Sequence, residues 1–135
     1  MKITTYLNFK SQCAEAFAFY AETLGGQITF SQTFGETPMK DMFPGDEDLI
    51  MHATLHIGDQ EIMGSDAPPS RYAKPAGFGV TIASSDLARI ERIFNAFADG
   101  GTVDMPLQET YWAPKFGMVT DRFGIPWMLN GETPA

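Results

Sequence analysis

The stretches CAEAFAFYAETLGGQITF, Cys13 to Phe30, and LARIERIFNAFADGGTVDM, Leu87 to Met105, decide the fold, because both follow one plan. In the first, Cys13, Phe17, Tyr20 and Leu24 recur at spacings of 4, 3 and 4, an apolar stripe of helical period. In the second, Leu87, Ile90, Phe94 and Phe97 recur at 3, 4 and 3. Ser11 is placed to cap the first helix, and Ser85 or Asp86 the second. Both helices stop at a glycine pair, Gly25-Gly26 and Gly100-Gly101, as a left-handed C-terminal turn favours, and the offset between the pairs is 75 residues. Self-similarity at a fixed offset marks a duplicated unit.

The flanking segments complete each copy. Residues 3 to 9 and 78 to 83 precede the helices and read as strands, rich in β-branched and aromatic residues. After each glycine pair the chain returns to strand, over Gln27 to Phe34 and over Thr102 to Thr110. A hairpin follows in each copy: His52 to Ile57 with Glu61 to Met63 across Gly58-Asp59, and Phe116 to Thr120 with Pro126 to Leu129 across Asp121 to Gly124. The fold class is therefore α+β, two paired βαβββ modules over 1–66 and 76–135 in a single domain over 1–135, with a proline-bearing linker from Asp66 to Pro75. The irregular stretch Gly35 to Asp48 reads either as a solvated excursion or as a lid or dimer contact.

Composition narrows the function. The chain has 135 residues, with 9 Lys and Arg against 17 Asp and Glu, a net charge of −8. An acidic surface repels phosphate backbones and anionic lipid, which argues against nucleic acid and membrane partners. No run of about 18 apolar residues and no signal-type leader appears, and a single cysteine closes no internal disulfide, so a cytoplasmic setting is expected. Cys13, on the apolar stripe, reads as a buried structural thiol rather than a nucleophile. Nucleotide-cradling glycine loops and the Gly-x-Ser-x-Gly elbow are absent.

Each four-stranded sheet has one face covered by its helix and another that must find cover or hold a ligand. Strand parity sends Met51, Ala53, Leu55 and Ile57 toward the helix and His52, Thr54 and His56 to the opposite face. The two histidines lie four residues apart, roughly 13 Å along a strand, too far for both to bind one ion. Glu109, Tyr111 and Trp112 combine a carboxylate, a phenol and an indole suited to a pocket for a small amphipathic ligand. As strand residues, Glu109 and Tyr111 would share one face, and Thr110 and Trp112 the other. On the final strand Met128 and Asn130 oppose Trp127 and Leu129.

On Tyr6-Leu-Asn-Phe9, Ala16-Phe-Ala-Phe-Tyr20 and Leu24-Gly25, the chain resembles the vicinal oxygen chelate superfamily of glyoxalase, bleomycin-resistance and dioxygenase proteins, and more closely its PhnB-like branch. The resemblance continues through His52-Ala-Thr-Leu-His-Ile-Gly58, Ile62-Met-Gly-Ser-Asp66, Glu109-Thr-Tyr-Trp112, Phe116-Gly-Met-Val-Thr-Asp121, Phe123-Gly124 and Pro126-Trp127. It implies a half-open barrel in a homodimer. In metal-dependent relatives, it also implies a divalent ion held from four strand positions, which fall here near Thr5, on the His52/Thr54/His56 face, near Phe78 or Gly79, and at Met128. Only the second offers a strong ligand, so the expectation is a small-molecule-binding protein with no metal or other cofactor. Its ligand contacts are expected among His52, Thr54, His56, Glu109, Tyr111, Trp112 and Met128, with turnover left open. Two alternatives stand: a metal-dependent lyase, isomerase or dioxygenase, drawing on Glu109, His52 or His56, and an antibiotic-sequestering protein with an acidic cleft for a cationic drug.

Overall fold

In the computed structural model, which describes residues 1–134, the order of elements is β1 (Thr5–Phe9), α1 (Cys13–Leu24), β2 (Gln27–Thr33), β3 (Ile50–Ile57), β4 (Gln60–Asp66), β5 (Val80–Ser84), α2 (Leu87–Ala98), β6 (Thr102–Gln108), β7 (Lys115–Thr120) and β8 (Pro126–Gly131). The chain divides into two units, Met1–Ala73 and Lys74–Ala135. Each is a four-stranded mixed sheet, β1-β4-β3-β2 in the first and β5-β8-β7-β6 in the second. In both, the strand before the helix pairs parallel with the last strand of its unit, and the other pairings are antiparallel. Two copies of βαβββ are thus present.

Both apolar stripes are buried as their period requires, except that Leu87, at the start of α2, is only half-buried. Cys13, Phe17, Tyr20 and Leu24 of α1 meet Leu7 and Phe9 of β1 and Ala53 and Leu55 of β3, all buried, with Phe9 and Phe17 edge to face at 6.0 Å. In the second unit Ile90, Phe94 and Phe97 of α2 are buried with Val119, Trp127 and Leu129, and the Phe97 and Trp127 rings lie 4.6 Å apart. Fully burying one such side chain stabilises by about 1.5–3 kcal/mol, so each helix is held chiefly by its own sheet. Burial raises the Cys13 thiol well above its usual range, with the Asp66 charge adding to the effect. It is a neutral packing group.

Several local expectations are corrected. Ser11 does not cap α1. The residue before the helix is Gln12, with no side-chain capping bond, while Ser11 itself adopts a left-handed φ of 65°. The first helical N–H, of Cys13, donates instead to Asp66 Oδ1 at 2.9 Å, and Asp66 Oδ2 accepts from Ile50 N at 2.9 Å. Asp66 is therefore the buried end of β4 rather than the start of a linker. The parallel β1–β4 pairing brings it beside the helix start, where a carboxylate also suits the helix dipole. Asp86 caps α2 as expected, accepting from Arg89 N at 3.1 Å. Strands β1 and β5 begin two residues later than their composition suggests, at Thr5 and Val80, and β2 ends at Thr33 before a 3₁₀ turn over Phe34–Glu36.

Replacing Asp66 by Asn is expected to cost about 2–3 kcal/mol, because an amide offers one acceptor where two buried backbone donors need one each. Urea denaturation checks this. An unchanged midpoint would show that the cap contributes nothing.

Candidate functional site

The register of the first sheet collects one set of side chains on the face turned away from α1. Across strands, Gln32 opposes His52, Phe30 opposes Thr54, Thr54 opposes Met63, His56 opposes Glu61, and Tyr6 opposes Met63. Directly opposed residues share a face, so this face carries Tyr6, Phe30, His52, Thr54, His56 and Glu61. The parity expected for β3 holds at its centre, where Ala53 and Leu55 are buried against the helix and His52, Thr54 and His56 are not.

Two hydrogen-bonded chains run across the face. His52 Nδ1 is bonded to Tyr6 Oη at 3.2 Å and its Nε2 to Thr54 Oγ1 at 3.2 Å. Tyr6 reaches across β4 to do this, and its ring stacks on the imidazole with centroids 5.6 Å apart and planes 28° apart. Phe30 approaches the same imidazole at 5.9 Å. Both aromatic rings keep a free surface, Tyr6 at 43% and Phe30 at 48% exposure. Each hydroxyl can donate or accept, so the His52 proton is free to sit on either nitrogen.

The second chain has a fixed polarity. His56 Nε2 lies 2.9 Å from Glu61 Oε2, Glu61 Oε1 lies 2.6 Å from Lys2 Nζ, and His56 Nδ1 lies 2.9 Å from Thr29 Oγ1. The hydrogen bond from Lys2 is the main reason that the Glu61 carboxyl sits below its usual range; the charges of Lys2 and His56 and the His56 bond add to it, against partial desolvation. An ionised carboxylate only accepts, so in the neutral ring Nε2 carries the hydrogen. Nδ1 then presents a lone pair, and Thr29 must donate to it.

Of the other expected site residues, Met128 lies on the open face of the second sheet, opposite Met118. It lines a cavity of about 390 Å³ with Phe78, Gly79, Asp104 and Met118. Glu109, Tyr111 and Trp112 do not lie on a strand: β6 ends at Gln108, and they form the turn to β7, closed by Thr110 N donating to Ala113 O at 2.9 Å. The parity reasoning for them therefore lapses. Tyr111 is 97% exposed, Trp112 packs on Phe116 at 5.1 Å, and with Glu109 they border a shallow depression of about 230 Å³. A third cavity, about 400 Å³, lies in the first unit between Asn8, Ser65, Phe34, Phe43 and Arg71. The Gly35–Asp48 stretch is tied there by Phe43 against Phe34, 5.0 Å between centroids.

Tyr6, Thr29, Phe30 and Glu61 contact the two histidines without having been singled out from sequence. Glu61 was accessible, since a two-residue turn at Gly58-Asp59 sets it opposite His56. Thr29 was not, because it is the extra residue of a bulge between Ile28 and Phe30.

Two helices, each laid on its own four-stranded mixed sheet, define a protein of the glyoxalase/bleomycin-resistance fold. A superfamily member from Sphaerobacter thermophilus shares that fold with a TM-score of 0.56, 18% identity and coverage of 96% and 97% of the two chains. The chain belongs to the PhnB-like 3-demethylubiquinone-9 3-methyltransferase family, whose model matches residues 1–130. It is 38% identical to Protein YjdN of Escherichia coli over 96% of this chain and 95% of that one. The crystal structure of protein PA1353 from Pseudomonas aeruginosa matches with a TM-score of 0.89 and 43% identity over 98% of both chains. A PhnB protein from Bacillus cereus follows with a TM-score of 0.82, 27% identity and coverage of 96% and 98%.

The divalent ion of metal-dependent superfamily members does not fit the residues present. Thr5 is an exposed hydroxyl, Gly79 has no side chain to offer, and its α-carbon is roofed by Met128, whose Sδ would lie 3.1 Å from an added Cβ. Met128 is a soft thioether, unsuited to the oxygen- and nitrogen-preferring ions. Among the described residues no three His, Cys, Asp or Glu side chains gather as a metal-binding group. None of the helices described is long and apolar enough to cross a membrane.

Proposed function

We propose that this PhnB-like chain binds a small organic molecule on the open face of its first module, against Tyr6, His52, Thr54 and Phe30, without a metal centre. Taken by itself, the second module offers separate contacts for a ligand, Met128 in its own cavity and the Glu109, Tyr111 and Trp112 turn. The working form is a cytoplasmic homodimer. The observation that carries the reading is the state of His52. Both of its nitrogens are held by hydroxyls that can switch direction, and its ring is flanked by two half-open aromatic rings. Such a group accepts or donates a hydrogen bond to a planar polar ligand while the rings cover its apolar part.

Protein purified without chelator is expected to carry nickel, zinc, manganese and iron far below one ion per chain. Small phenols and ketoacids, screened by amide chemical shifts, should perturb Tyr6, Phe30 and His52, and His52→Ala should weaken the best of them about tenfold, or 1.4 kcal/mol. Stoichiometric metal, or shifts confined to other faces, would overturn the reading.

A further inference from the structure

The chain Thr29–His56–Glu61 has the parts of an activated nucleophile: a hydroxyl 2.9 Å from an imidazole nitrogen whose other nitrogen lies 2.9 Å from a carboxylate. Nucleophile and base within about 2.6–3.2 Å, with the base oriented by a third group, is the arrangement that recurs on unrelated folds independently of sequence order. The residues come from three adjacent strands, β2, β3 and β4, so the alignment is a product of sheet register. The bulge produces it. Thr29 has no ladder partner, while its neighbours Ile28 and Phe30 oppose Leu55 and Thr54, and bulges are a recurrent way of re-aiming one side chain beside a reaction site.

The polarity of the chain is the productive one. Glu61 keeps the hydrogen on Nε2, which leaves Nδ1 as the base facing the Thr29 hydroxyl, and Lys2 keeps Glu61 in an accepting state. The ring is reversed relative to triads in which Nδ1 faces the carboxylate. The two nitrogens are chemically equivalent for proton transfer once one of them is fixed as the donor. Thr29 is exposed and His56 is 39% exposed, so an acyl group of a small ester can approach the hydroxyl from outside the sheet.

The geometry points to Thr29 as an acyl-accepting nucleophile, with His56 as its general base and Glu61 as the positioning residue, acting on small activated carboxylic esters. In the first step the Thr29 Oγ–acyl bond forms as the hydroxyl proton passes to His56 Nδ1. The ester C–O bond then breaks, and the same proton leaves with the alcohol. Water, deprotonated by His56, attacks the acyl-threonine and releases the carboxylic acid, restoring the hydroxyl. The sum is ester and water to acid and alcohol, with no oxidant or reductant. This activity does not depend on the ligand reading at His52.

The test uses the full chain with p-nitrophenyl acetate. A burst of p-nitrophenolate is expected, with one acetyl group located on Thr29 by peptide mass spectrometry after acid quench. Thr29→Val, which keeps the shape and removes the hydroxyl, and His56→Gln should each slow acylation by about 10²-fold or more, the range of general-base assistance. Thr29→Ser should retain the burst, and circular dichroism of all three should match the parent. For Glu61→Gln, ¹⁵N shifts of His56 should show that the ring no longer favours the Nε2–H tautomer, a change that a packing role alone would not produce. Acylation of Lys2 or His56 in place of Thr29, or a Thr29→Val variant acylated at the parent rate, would overturn the proposal.

Discussion

Asp121→Ala is expected to destabilise the protein by about 3–4 kcal/mol and to lower its Tm by roughly 10–15 °C. The carboxylate is only 4% exposed and saturated with donors. Oδ1 accepts from Phe123 N at 2.9 Å and Ile125 N at 3.0 Å, and Oδ2 accepts from the Trp127 indole N–H at 2.8 Å. It thus organises the turn between β7 and β8 and fixes the largest side chain of the core at once. Alanine leaves three donors without this partner in a region that water does not reach readily, and each orphaned donor costs about 1–3 kcal/mol. The sum is trimmed because the two backbone donors sit in a turn that can relax toward solvent. Asp121→Asn should fall between, since one amide oxygen replaces two carboxylate oxygens. Chemical denaturation followed by tryptophan fluorescence measures both variants against the parent. A loss under 1 kcal/mol for Asp121→Ala would show that the turn holds itself without the carboxylate.

The same residue shows what a sequence motif does and does not disclose. Asp66 and Asp121 both fall in the stretches that carry the family resemblance, where acidic residues invite a chemical role. Both turn out to be buried acceptors for backbone and indole donors. Their partners lie 53 and 16 residues away for Asp66, and a reading limited to local capping chose Ser11 instead. Long-range hydrogen bonds leave no periodic trace.

What was legible is what repeats. The stripes of α1 and α2 and the glycine pairs identified the duplication, because burial on one helical face imposes a 3.6-residue period. The parity of β3 placed His52, Thr54 and His56 together, because side chains alternate on a strand. That logic failed where the chain left regular structure. The run Gln108 to Trp112 alternates plausibly, yet Thr110 closes a turn with Ala113, and Tyr111 stands in solvent. The bulge at Thr29 failed it in the other direction, moving an exposed hydroxyl onto the imidazole by a register shift of one residue. The candidate chemistry of the first module thus rests on an irregularity, while its scaffold rests on a period.

Gly101→Ala is expected to cost at least about 3 kcal/mol, the upper part of what overpacking usually costs. The first glycine of each pair and the second do different work. Gly25 and Gly100, with φ of 70° and 75°, turn the chain out of the helix in a left-handed conformation that glycine adopts without strain. The second glycine lets the helix end lie against the sheet. A Cβ on Gly101 would stand 2.3 Å from Thr120 O, 2.7 Å from Phe97 O and 3.1 Å from Asp121 Cα. All three are backbone atoms, so no rotamer change can relieve the contact. The end of α2 must lift from β7, which loosens Phe97 against Trp127, and the neighbouring Asp121 turn is strained as well. Gly26→Ala is the internal comparison. There the Cβ meets one backbone atom, His56 O at 2.6 Å, and otherwise the side-chain atoms Ile57 Cγ1 at 3.0 Å and Leu55 Cδ1 at 3.2 Å. Side chains yield more cheaply than backbone, so Gly26→Ala should cost less than Gly101→Ala in the same denaturation experiment. Equal losses, or the reverse order, would mean that the second module accommodates the methyl by a shift of α2 as a rigid body, and that its helix is less firmly seated than the packing of Phe97 on Trp127 requires.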